Sequence, residues 1–120
     1  MTRATVLLVD DEELVRASTA AMLHELGFSV MEADSAESAG AMVEEGAAFD
    51  LLVTDHLMPG MTGTELARQL KARRPDLPVL LVSGYAESDG VDGALPILTK
   101  PFREDELASA LVRLLAARDG

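Results

Sequence analysis

Phe49-Asp50-Leu51-Leu52-Val53-Thr54-Asp55-His56-Leu57-Met58-Pro59-Gly60 is the stretch that decides the fold. It opens as a short apolar run and places one carboxylate, Asp55, where the run stops. Pro59 and Gly60 then force a loop. A run of this length between turn signals reads as a buried strand of a parallel sheet. A carboxylate at the carboxyl end of such a strand lies where open α/β sheets build their sites.

Working outward, Thr5-Val6-Leu7-Leu8-Val9 is a second β-branched run, ending in Asp10-Asp11-Glu12-Glu13. Acids there suit the start of a helix, whose dipole favours negative charge. Val15, Thr19, Met22 and Leu26 recur at helical spacing and predict its core-facing stripe. Gly27 ends it as a left-handed cap. Residues 28–33 alternate and read as an edge strand. Ser35 caps a second helix to about Glu45, weakened by Gly40, which costs about 1 kcal/mol against Ala. Thr62 or Gly63 begins a third, with Leu66, Ala67 and Leu70 inward, stopped by Pro75-Asp76-Leu77-Pro78. Val79-Leu80-Leu81-Val82 is a strand ending at Ser83-Gly84, and Pro96-Ile97-Leu98-Thr99 another, ending at Lys100-Pro101. Between them, residues 87–93 hold two glycines and two aspartates, a composition that favours turns. A last helix spans about residues 104–118, with Leu107, Leu111, Val112 and Leu115 inward.

This alternation predicts an α/β fold of flavodoxin-like type. It is a doubly wound, five-stranded parallel sheet of order 2-1-3-4-5 with helices on both faces. The 120 residues suffice for one domain, 1–120, with a real core. At 48% hydrophobic residues the chain is expected to fold. It has no apolar stretch near the roughly 18 residues of a membrane helix and no visible signal peptide, so a cytoplasmic protein is expected. The lack of cysteine excludes disulfides and thiolate metal sites. A net charge of -11 argues against nucleic-acid binding, which needs clustered Lys and Arg. It suits a cationic ligand or partner.

Four strand ends converge on one edge, bringing Asp10 and Asp11, Asp55, Ser83, and Lys100. Singly, each has an ordinary explanation as a cap, a loop acid, a turn residue or a surface cation. Together they fall at the same end of their strands. Three close carboxylates repel one another, so the cluster needs cations. A hard divalent ion with oxygen ligands suits it, and Mg²⁺ takes carboxylates, waters and phosphate oxygens. Lys100 adds a point charge without fork geometry. A phosphoryl group on an Asp55 oxygen would be neutralised by both, and would accept hydrogen bonds from Ser83 and backbone N–H groups.

Over its full length the chain resembles the receiver domain of two-component response regulators. Val9-Asp10-Asp11-Glu12, Asp55-His56-Leu57-Met58-Pro59-Gly60, Ser83-Gly84-Tyr85 and Lys100-Pro101-Phe102 carry the resemblance. It implies Asp55 as phosphoacceptor. It implies Mg²⁺ held by Asp10, Asp11, Asp55 and the Leu57 backbone carbonyl. Ser83 with Gly84 and Lys100 would bind and sense the phosphoryl group, beside Pro101. The implied partner is a sensor histidine kinase or histidine phosphotransfer protein, with the domain a monomer or weak dimer. Members often carry Tyr or Phe three residues before the lysine, where this chain has Ile97. The fourth helix usual before the last strand should be short or irregular here. Such receivers resemble those of hybrid sensor kinases.

Competing readings are a degenerate receiver that only binds a protein partner, which the complete set of five site residues opposes, and a metal-dependent aspartyl-phosphate phosphatase or phosphotransferase. Its nucleophile would end the first strand, with a second Asp two residues on, where Glu12 stands. A flavodoxin-like cofactor binder needs a phosphate cradle after strand one, which four acids oppose. His24 is expected on a solvated face and the methionines as core fillers. His56 follows Asp55 and could modulate it, and Tyr85 could influence access of water.

Overall fold

All five residues of the central strand, Leu51–Asp55, are buried, because the strand is flanked by neighbours and covered on both faces. In the computed structural model, residues 4–84 and 95–119 are described. The elements are β1 (Thr5–Val9), α1 (Glu13–Glu25), β2 (Ser29–Ala33), α2 (Ala36–Glu44), β3 (Leu51–Asp55), α3 (Gly63–Arg73), β4 (Val79–Gly84), β5 (Ile97–Lys100) and α4 (Glu104–Asp119). The strands form one parallel sheet, β2-β1-β3-β4-β5, as the sequence predicts. The expected short helix before β5 falls on residues outside those described.

Strand alternation divides the core in two. Leu7, Val9, Leu52, Val79 and Leu81 face α2 and α3, meeting Ala39, Leu66, Ala67 and Leu70. Val6, Leu8, Val53, Leu80 and Val82 face α1 and α4, meeting Ala20, Leu23, Leu107 and Leu111. Edge strands bury less. Only Ala33 of β2 is buried, and Ile97 of β5 is 44% exposed.

Local signals set the helix ends. Gly27 and Gly46 follow α1 and α2 with φ of +95° and +90°, the left-handed region in which helices end. The Ser35 hydroxyl accepts the Ser38 N–H at 2.9 Å to open α2. Thr62 and Glu65 form a reciprocal capping box on α3. Two expected stripes are displaced. On α1 the deepest side chains are Leu23 and Ala20, beside buried Thr19, whereas Met22 and Leu26 are half-covered. On α4, Val112 is 67% exposed, and the inward line runs Leu107, Leu111, then Leu114 and Leu115. A helix turns about 100° per residue, so Val112 swings off a stripe centred on Leu107 and Leu111.

Candidate functional site

The registers explain how distant residues share one edge. Val9 pairs with Thr54, so Asp10, just past β1, follows beside Asp55, the last residue of β3. Asp55 pairs with Val82, which sets Ser83 one residue beyond it. Gly84 pairs with Lys100, so the lysine starts two strands away and reaches back along its stem. Its Nζ stands 3.0 Å from Asp55 Oδ1 and 4.0 Å from Asp10 Oδ2.

Asp10 and Asp55 are 4% and 3% exposed, and Asp11 is open to solvent. One carboxylate oxygen from each lies within 4.8 Å of the others. Three carboxylates outnumber the ammonium that meets them, so the set retains negative charge. Hard oxygen donors at this spacing fit a hard divalent cation, and their excess charge gives it a reason to bind. Burial alone would depress the Lys100 ammonium. The hydrogen bond and charge of Asp55, then Asp10 and Glu12, outweigh it and hold its pKa above the ordinary lysine value.

Each flanking loop is tied down. Asp10 Oδ1 accepts the Glu12 N–H at 2.9 Å, turning the chain into α1. Arg16 Nη1 donates to the Asp10 backbone carbonyl at 2.8 Å, and its Nε meets Glu32 Oε1 at 3.1 Å. Sequence reading passed over Arg16. The available signal was a cation near a helix N-terminus, against the preference of the dipole.

Past β3, the loop carrying Leu57 bends at Gly60, with φ of +82°. Glu37 on α2 accepts the Met61 N–H there at 3.1 Å through Oε2. This bond, and one to its own backbone, hold the Glu37 carboxyl below its ordinary value. Gly63 opens α3 directly against the Asp55 backbone, where a Cβ would collide with the Asp55 carbonyl oxygen. Its N–H donates to the His56 carbonyl at 2.8 Å. His56 is itself buried, its Nδ1 2.8 Å from the Thr64 hydroxyl.

Ser83 is buried at the β4 end, its hydroxyl donating to the Gly84 carbonyl at 3.3 Å. The Lys100–Pro101 peptide is cis. Leu57 is exposed, and Ile97 stands on the sheet edge. His24 is exposed. Met58 is buried, and Met22, Met31, Met42 and Met61 pack against the two cores as fillers. Tyr85 lies outside the described residues. Next to Lys100, an apolar groove runs between α1 and the β5–α4 turn, lined by Leu14, Val15, Met22, Pro101 and Phe102. Leu14 is 85% exposed at its rim. Among the described residues, no helix is long and apolar enough to cross a membrane.

Known proteins share both the sequence pattern and this architecture. Sensor kinase CckA of Brucella abortus is 38% identical over 97% of this chain, which spans 13% of that kinase. Chemotaxis protein CheY of Pseudomonas aeruginosa is 36% identical, with 96% of this chain matched to 98% of that protein. A solved response regulator receiver protein from Sinorhizobium medicae superposes with a TM-score of 0.86 at 35% identity, covering 97% of each chain. The response regulator receiver domain matches residues 6–112. With its parallel sheet and its strand-end acids, the chain belongs to the response regulator receiver domain family.

Proposed function

We propose that the domain accepts a phosphoryl group onto Asp55 from a phosphohistidine of a sensor histidine kinase or histidine phosphotransfer protein. The observation that carries this reading is the Lys100 ammonium 3.0 Å from Asp55, with the oxygens of Asp10 and Asp11 gathered beside it. Asp10, Asp11, Asp55 and the Leu57 carbonyl would hold Mg²⁺, which supplies charge neutralisation for the phosphoryl oxygens.

An Asp55 carboxylate oxygen attacks phosphorus in line as the P–N bond breaks. The electron pair returns to the imidazole nitrogen of the donor, which then takes a proton. Lys100 neutralises the phosphoryl oxygens, and the Ser83 hydroxyl and nearby backbone N–H groups donate to them. The product stays covalently on the protein, so the domain is a signalling acceptor rather than a turnover enzyme. The groove of Leu14, Val15 and Phe102 opens next to the site and offers apolar footing for a histidine-bearing helix. Ile97 in place of an aromatic and the acidic balance favour a relay or kinase-associated role, as monomer or weak dimer, over a DNA-directed one.

Incubation with a small phosphodonor and Mg²⁺, followed by site mapping, tests this reading. Acid-labile phosphate should appear at Asp55, need Mg²⁺ and vanish in Asp55→Asn. Full incorporation in that variant would overturn the assignment.

A further inference from the structure

We propose that His56, through Thr64, is a positioning residue that fixes the spacing between the Asp55 carboxylate and the Leu57 carbonyl. The proposal rests on the phosphoacceptor reading, since both oxygens belong to the cation site invoked there. His56 lies between those two residues, so its backbone sets both.

Strand alternation sends Asp55 to one face of the sheet and His56 to the other, toward α3. There His56 is 2% exposed and Thr64 1% exposed. The 2.8 Å contact between Nδ1 and the hydroxyl is a hydrogen bond in whichever tautomer the ring adopts. The backbone is held as firmly. The His56 N–H donates to the Val82 carbonyl at 2.8 Å, and its carbonyl accepts from Gly63 at 2.8 Å. One residue thus connects β4, the first turn of α3 and the start of the cation-bearing loop.

A Val or Leu could fill a core site of this kind without needing a partner. A polar pair there must stay hydrogen-bonded to offset its desolvation. What it adds is direction, because the bond fixes how α3 sits over β3. Mg²⁺ is the ion that would register the difference. It demands near-octahedral oxygen geometry, whereas Ca²⁺ accepts flexible coordination.

Calorimetric titration with Mg²⁺ alone and with Ca²⁺ alone tests this on the wild-type domain, Thr64→Val and Thr64→Ser. Thr64→Val should weaken Mg²⁺ binding about tenfold, the lower range for residues that orient metal ligands. Ca²⁺ binding should change far less, and Thr64→Ser, which keeps the hydroxyl, should restore Mg²⁺ affinity. Should Thr64→Val fail to melt cooperatively, His56→Phe breaks the same bond from the other side and should show the same selective loss. Equal loss of both ions, or loss of neither, would reduce the pair to packing and overturn the proposal. A wild-type domain that bound no Mg²⁺ would overturn the phosphoacceptor reading, and this proposal with it.

Discussion

Lys100 Nζ stands 3.0 Å from Asp55 Oδ1 and 4.0 Å from Asp10 Oδ2, so one ammonium spans two almost wholly buried carboxylates. Lys100→Ala strips the cation and leaves both acids facing each other. Removing one partner of a buried pair costs 3–5 kcal/mol, and the lysine is partly solvated, so a loss of about 3 kcal/mol or less is expected in chelator. Mg²⁺ should restore more stability to this variant than to wild type. Thermal melts with and without Mg²⁺ check this, and an unchanged gap between them would contradict it. The folded pKa of Lys100 is raised, so its contribution is whole below the ordinary lysine value of about 10.4 and is lost as pH climbs through the higher folded value.

Arg16 acts on the same edge from behind. Its hydrogen bond to the Asp10 carbonyl holds the turn that presents Asp10 and Asp11. Arg16→Ala should weaken Mg²⁺ binding about tenfold, as changes behind metal ligands do. Glu32→Gln removes only the outer ion pair, and a partly exposed pair contributes about 1 kcal/mol or less. It should therefore leave Mg²⁺ affinity near wild type. Equal effects from the two variants would show that the ion pair, rather than the carbonyl bond, sets the loop.

Ser83 sits one residue past the position paired with Asp55. Its hydroxyl should matter after phosphorylation rather than before it. Ser83→Ala should melt like wild type and bind Mg²⁺ normally, yet give smaller NMR shifts on loading with beryllofluoride, a phosphoryl mimic. A wild-type pattern of shifts would remove Ser83 from the response.

Glu37 tests the tip of the β3–α3 loop. Its folded pKa is depressed, so the stability it gives is present above the ordinary glutamate value and lost as pH falls through the depressed one. Glu37→Gln should therefore melt below wild type near neutrality and match it in strong acid. A difference that persisted unchanged in acid would rule out the carboxylate as the cause.

Much of this site was legible because strand ends announce themselves. The apolar runs before Asp10, Asp55, Ser83 and Lys100 fix where each strand stops, and parallel order brings the stops together. The helix faces were less legible. On α1 the sequence favoured Met22 over Leu23, because several registers of an amphipathic helix place apolar residues at acceptable spacing and only the sheet selects among them. His56 showed a different limit. A histidine after a strand gives no sign of burial until its partner, Thr64, is found eight residues away on another element. Arg16 and Glu37 likewise act through contacts with backbone, which carries no side-chain identity to be read.

Gly63 leaves α3 and the Asp55 peptide touching main chain to main chain, with no room even for a methyl group. Side chains between two layers ordinarily absorb small displacements by changing rotamer, as a cushion does. No such cushion separates these two. A movement of the Asp55 carbonyl must shift the first turn of α3 by a like amount, or break the bond from Gly63 to His56. The β3–α3 junction is in that sense an incompressible joint.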